Sequence, residues 1–152
     1  MKARQTIPRQ WLIVRGDDGS GALLSRARTL PAGSGILLLA KLPSATRRRL
    51  HYLARARAIT LVFEEPRGGA RVHNLRELAR ARLQRASLIL ISPLYPTSSH
   101  PEWKPLPRMR AAALARLASR RAIALGGMDA RRHAKVAALG FVGWAGVSAF
   151  RT

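Results

Sequence analysis

The chain contains no cysteine, which removes disulfides, thiolate metal sites and cysteine nucleophiles at a stroke. Acidic residues are scarce: seven Asp and Glu stand against 28 Lys and Arg, a formal net charge of +21. Aromatic residues make up only 5%, too few to interleave with the cations as base-stacking platforms. No apolar run approaches the roughly 20 residues a membrane helix needs. The opening MKARQTIPRQ lacks an apolar signal core, so a cytoplasmic location is expected. No Walker-type loop, metal-spaced histidine pair or Ser–His–Asp order occurs, which leaves hydrolase and nucleotidase readings without support.

What is present fits one folded domain over residues 1–152. Its length allows a sizeable core, and 47% hydrophobic residues argue against disorder. Only Lys2, Lys41, Lys104 and Lys135 are lysines; the remaining cations are arginines spread over nearly every helical segment. Such a surface attracts polyanions at low salt. Its even spread reads as solvated helix faces rather than a nucleic-acid site.

Short apolar runs alternate with helical segments. Strands are expected at Trp11–Val14, Ile36–Leu39, Ile59–Phe63, Arg71–His73, Leu88–Ile91, Ala122–Leu125 and Phe141–Ala145. Helices are expected from Gly21 to Thr29, from Ser44 to Arg57, after Asn74, from Arg108 to Ser119 and from Asp129 to Leu139, about six in all. Asn74 with Glu77 three residues on reads as a capping box. Regular βα alternation predicts a parallel sheet with right-handed crossovers.

Two junctions stand out. LILISPLYPTSSHP (Leu88–Pro101) and AIALGGMD (Ala122–Asp129) each pass from a buried strand into small, polar or turn-forming residues. In parallel α/β folds the loops after strand C-termini carry the ligand site. Hydroxyls at Thr97, Ser98 and Ser99, glycines at 126 and 127, and positive charge at His100 and Lys104 suit a phosphate or pyrophosphate. His73 reads as a core or capping histidine, and Trp103 and Trp144 as packing residues.

The run from Ser92 to Pro101 resembles the GPxFPTxTKPG loop of thiamine phosphate synthases. Ile123–Met128 resembles their next strand and glycine pair, and Phe141–Phe150 their closing GADGVAVVSAI. Val72–Leu78 is similar to their S-x-H-x-x-x-E junction. Pro93 stands where the related thiazole tautomerases have a histidine. The resemblance implies a parallel (β/α) barrel of the TIM type. It also implies a reaction in which hydroxymethylpyrimidine diphosphate loses pyrophosphate and joins a thiazole phosphate. Carried over by position, Thr97, Ser99, His100 and Lys41 are the catalytic candidates. Gly126, Gly127, Gly146 and Ser148 are the phosphate-binding candidates, and Glu64 and Glu65 the candidates to hold Mg²⁺.

The chain departs from that pattern between Glu65 and Ala70. There the alternation passes almost directly from the third strand to the next, so one βα unit with an acidic metal ligand is missing and about seven strands are expected. Glu64-Glu65 replaces the family's N-D pair, and Ala40-Lys41 is all that remains of Q-x-R-x-K. Three readings follow: a synthase with one unit lost, a non-catalytic regulatory relative that binds a phosphorylated ligand, or an arginine-rich nucleic-acid binder. An open edge beside the third strand invites a homodimer.

Overall fold

The computed structural model describes residues 6–16 and 18–147. Its elements are β1 (Gln10–Val14), α1 (Ser20–Thr29), β2 (Gly35–Leu38), α2 (Ser44–Ala56), β3 (Thr60–Phe63) and β4 (Gly69–Val72). Then come α3 (Leu75–Leu83), β5 (Leu88–Ile91), α4 (Arg108–Ala118), β6 (Ala122–Leu125), α5 (Ala130–Val136) and β7 (Gly143–Gly146). Every strand pairing is parallel, in the order β3-β2-β1-β7-β6-β5-β4. The seven strands curl into a nearly closed barrel, as expected. Five α-helices rather than about six lie among the described residues, the five segments named above, and β3 reaches β4 through residues 64–68 alone, as expected.

Strands β1, β2, β5, β6 and β7 are buried on both faces and so read as apolar runs. Strands β3 and β4, at the two ends of the order, are partly exposed. Trp11, Ile13, Leu37, Leu88, Leu90, Ile123 and Ala145 fill the barrel. Their neighbours point outward at period two. Leu12, Val14, Ile36 and Leu38 pack with Leu23, Ala27 and Leu50 of α1 and α2. Ile89, Ile91, Ala124 and Trp144 pack with residues of α3 and α4 and with Val136 of α5. Any Cβ on Gly35 would overlap the Trp11 ring, so that glycine makes room for the largest interior side chain. Phe141 is buried in the helix-side core, and the last strand starts at Gly143 rather than at Phe141.

The short link between β3 and β4 follows from barrel geometry. Ladder partners lead from Val72 through Ile91, Ala124, Trp144 and Gln10, and on through Ser34 to Ile59. In space, however, a Cβ on Gly69 would lie 3.7 Å from Val62, and Gly68 abuts the Phe63 carbonyl. One circuit of the wall therefore returns about six residues further along the strands, the shear that closing a tilted sheet requires. At roughly 3.3 Å per residue the offset exceeds the length of β3. Strand β4 accordingly begins where β3 ends, and no crossover helix is needed. Arg71 reaches back over this seam, its Nε donating to Glu64 Oε1 at 2.7 Å.

Candidate functional site

A cavity of about 420 Å³ opens at the C-terminal ends of the strands, the face where parallel barrels gather their loops. Its wall is built by two loops pressed together. Leu94 and Tyr95, after β5, donate their amides to the carbonyls of Leu125 (3.0 Å) and Gly126 (3.1 Å), after β6. That contact leaves no room for side chains on the glycine pair. Gly126 has φ +94° and Gly127 φ +58°, both in the left-handed region that glycine enters freely. A Cβ on Gly126 would sit 2.8 Å from Pro93 Cα, and one on Gly127 would run into the Pro96 carbonyl. Among the described residues, neither glycine amide has a backbone acceptor.

Thr97, Ser98, Ser99, His100, Gly126, Gly127 and Gly146 all line this cavity. Thr97 Oγ1 also accepts from the Ser99 amide at 3.4 Å, which shapes the loop. His100 stacks on Trp103 with ring centroids 4.0 Å apart, and Trp103 itself lines the cavity. Trp103 is therefore a wall of the site rather than only a packing residue. Trp144 is buried in the helix-side core, as expected. Ser148 lies outside the described residues.

Three cavity residues escape a reading of the sequence: Arg15, Arg71 and Arg132. The Arg132 guanidinium lies 4.9 Å over the Tyr95 ring and donates to the Gly127 carbonyl. Asp129 sets its position by capping α5 through the Arg132 amide at 2.7 Å. With arginine on nearly every helix, nothing in the sequence marks these three. Their placement just after β1, on β4 and just after the glycine pair was the only available signal.

Lys41, Glu64 and Glu65 stand elsewhere. They line a second hollow of about 490 Å³ with Arg47 and Phe63, the Arg47 guanidinium lying 4.4 Å over the Phe63 ring. Leu39 borders both spaces, and Arg71, on the wall of the first, binds Glu64 in the second. Among the described residues no three His, Asp or Glu side chains cluster closely enough to hold a metal ion. Glu64 is engaged by Arg71, and Asp129, the one carboxylate on the main cavity among the described residues, serves its helix cap. This donor set does not fit a magnesium ion held by protein groups alone.

At the floor of the cavity a second chain of polar groups ends on Ser92. Glu77, in the first turn of α3, has its amide capped by Asn74 Oδ1 at 2.9 Å. Its Oε2 accepts from the His73 amide at 2.6 Å and lies 2.9 Å from His73 Nδ1. His73 Nε2 lies 3.2 Å from Ser92 Oγ, and Trp103 meets the imidazole edge-on at 5.6 Å. Burial alone would raise the Glu77 carboxyl, but the bonds from His73 and Asn74 outweigh it and hold the group below its ordinary value. His73 is thus neither the cap of α3, which is Asn74, nor a core residue; it bridges Glu77 of α3 and Ser92 after β5.

Residues 52–150 match the family model described as thiamine monophosphate synthase. No curated protein matches the sequence. Among solved structures, the thiamine phosphate pyrophosphorylase from Pyrococcus furiosus superposes with a TM-score of 0.72 at 13% identity, over 95% of this chain and 87% of that one. The thiamine phosphate pyrophosphorylase from Bacteroides thetaiotaomicron gives 0.57 at 14% identity, over 93% and 83%. At such identities the superpositions establish the fold, while the match over residues 52–150 establishes kinship. The chain belongs to the thiamine monophosphate synthase family.

Proposed function

We propose that the chain joins hydroxymethylpyrimidine diphosphate to a thiazole phosphate, releasing pyrophosphate and forming thiamine phosphate. One observation carries this reading: loop hydroxyls, the glycine pair and three arginines line a single cavity. The reaction needs a site that stabilises a departing polyanion where its charge develops. Arg15, Arg71 and Arg132, with the hydroxyls of Thr97 and Ser99 and the imidazole of His100, take the pyrophosphate. The Gly126 and Gly127 amides, with Gly146, take the thiazole phosphate. The bond from the pyrimidine methylene to the diphosphate oxygen breaks and its electron pair leaves with pyrophosphate. The resulting cation, beside the Trp103 ring, is captured by the thiazole nitrogen. Magnesium would supply further neutralisation of the pyrophosphate. Glu64 and Glu65 are the candidates to hold it, and since that donor set does not fit, the steps here rest on the arginines.

Incubation with both substrates tests the reading, with thiamine phosphate and pyrophosphate expected in equal amounts. Arg132→Ala should lower the rate at least tenfold, the order of one lost charge-assisted contact of about 1.5–3 kcal/mol. Retained binding of thiazole phosphate without product would favour the second reading, a non-catalytic phosphate-binding relative. The missing unit and the pairing of Glu64 with Arg71 are what support that alternative. The homodimer belongs with either reading, because β3 and β4 end the ladder order and keep their outer edges. Sedimentation at physiological salt checks it: a monomer alone refutes the dimer.

A further inference from the structure

Ser92, His73 and Glu77 form a relay that the synthase reading leaves unused. The helix cap, in which Asn74 Oδ1 accepts from the Glu77 amide, accounts for none of its bonds. It does not require the imidazole to meet Glu77 through Nδ1 or to meet Ser92 through Nε2. A carboxylate at 2.9 Å from Nδ1 keeps the proton on that nitrogen, so Nε2 presents its lone pair to the Ser92 hydroxyl. The carboxylate is itself fixed by the His73 amide. Ser92, buried yet on the cavity wall, follows the last residue of β5, and His73 follows the last residue of the neighbouring β4. Nucleophile, base and orienting acid therefore stand in the sequence of contacts that activates a hydroxyl. The acid stands only four residues after the histidine and the serine follows the next strand, a spacing that no local motif marks.

We propose that Ser92 is a nucleophile and that the cavity takes small phosphoryl esters or anhydrides onto its Oγ. Arg15, Arg71 and Arg132 on the same wall place positive charge around the oxygens of a phosphoryl electrophile. In the step, Ser92 Oγ bonds to phosphorus while the bond from phosphorus to the leaving oxygen breaks. The hydroxyl proton passes to His73 Nε2 and from there to the departing oxygen. Ser92 and His73 are the reacting groups; Glu77 is a positioning residue that holds the tautomer.

The test is covalent labelling of the full chain with a fluorophosphonate, read by intact mass and peptide mapping. The reagent forms the same oxygen–phosphorus bond with release of fluoride. One adduct is expected, at Ser92, and Ser92→Ala should abolish it. His73→Ala should slow labelling about 100-fold or more, the contribution of a general base, and added imidazole should restore part of the rate. Glu77→Gln should slow labelling less, with the melting curve still cooperative. No adduct, an adduct at Ser98 or Ser99 instead, or equal rates with and without His73 would each overturn the proposal. If His73→Ala fails to fold, the comparison of Glu77→Gln with Ser92→Ala decides.

Discussion

At the scale of single residues, the glycine pair is the most demanding feature of the cavity. Gly127→Val places a branched side chain at φ +58° against the Pro96 carbonyl, so thiazole phosphate affinity should fall at least tenfold in a calorimetric titration. Arg49→Ala, on the exposed side of α2, should leave it nearly unchanged. Equal weakening in the two variants would indicate a diffuse polyanion surface in place of a built site. Glu77 gives a second expectation. Its folded carboxyl titrates below the ordinary value of 4.5, so the stability it contributes is present above that value and is lost as pH falls through the folded one. Acid melts should therefore be less steep below about pH 4.5 for Glu77→Gln than for the parent chain. At this scale the sequence was legible where a residue type is rare or conformationally demanding, as at Gly126, Gly127 and Asn74. It was opaque at Arg15, Arg71 and Arg132, whose type is everywhere, and at Ser92, whose partner lies on another strand.

At the scale of elements, continuous apolar runs marked the buried strands and side-chain caps marked two helix starts. Asn74→Ala removes the bond to the Glu77 amide and should cost about 1 kcal/mol, read from denaturant midpoints. The start of β4 was misplaced for a physical reason. Gly68 and Gly69 follow Pro66 and Arg67 and read as a turn, yet Gly69 pairs with Leu88 inside the sheet. Its lack of a side chain answers to the barrel interior, where a Cβ would come within 2.7 Å of Leu37. Gly69→Val should lower the melting temperature through a loss of roughly 1–3 kcal/mol, the usual penalty of overfilling a packed core. A variant as stable as the parent would show that the seam yields locally.

At the scale of the whole molecule, the missing unit could be read from the alternation, but the way the wall closes could not. Shear is a property of all seven strands together, and no local pattern encodes it. The first half, outside the matched residues 52–150 for most of its length, was legible only as βα alternation. Its contribution of Arg15 to the cavity appeared with the fold. The seam has one more consequence. Strands β1 and β7 are parallel neighbours in the ladder, so a linker that joins the start of one to the end of the other has to run the length of one strand. The turn at Pro66-Arg67 crosses the one interval of the wall that no ladder bonds span. A circular permutant opened between Pro66 and Arg67, with its former ends joined by a flexible linker, would break no strand pairing. It should fold to the same circular dichroism spectrum and bind pyrophosphate as the parent does. A permutant opened between Ser98 and Ser99 should fold but lose that binding, because its new ends fall in the cavity loop. Failure of the first permutant to fold would mean that the turn is needed to set the stagger of the barrel, and that the two halves cannot find their register without it.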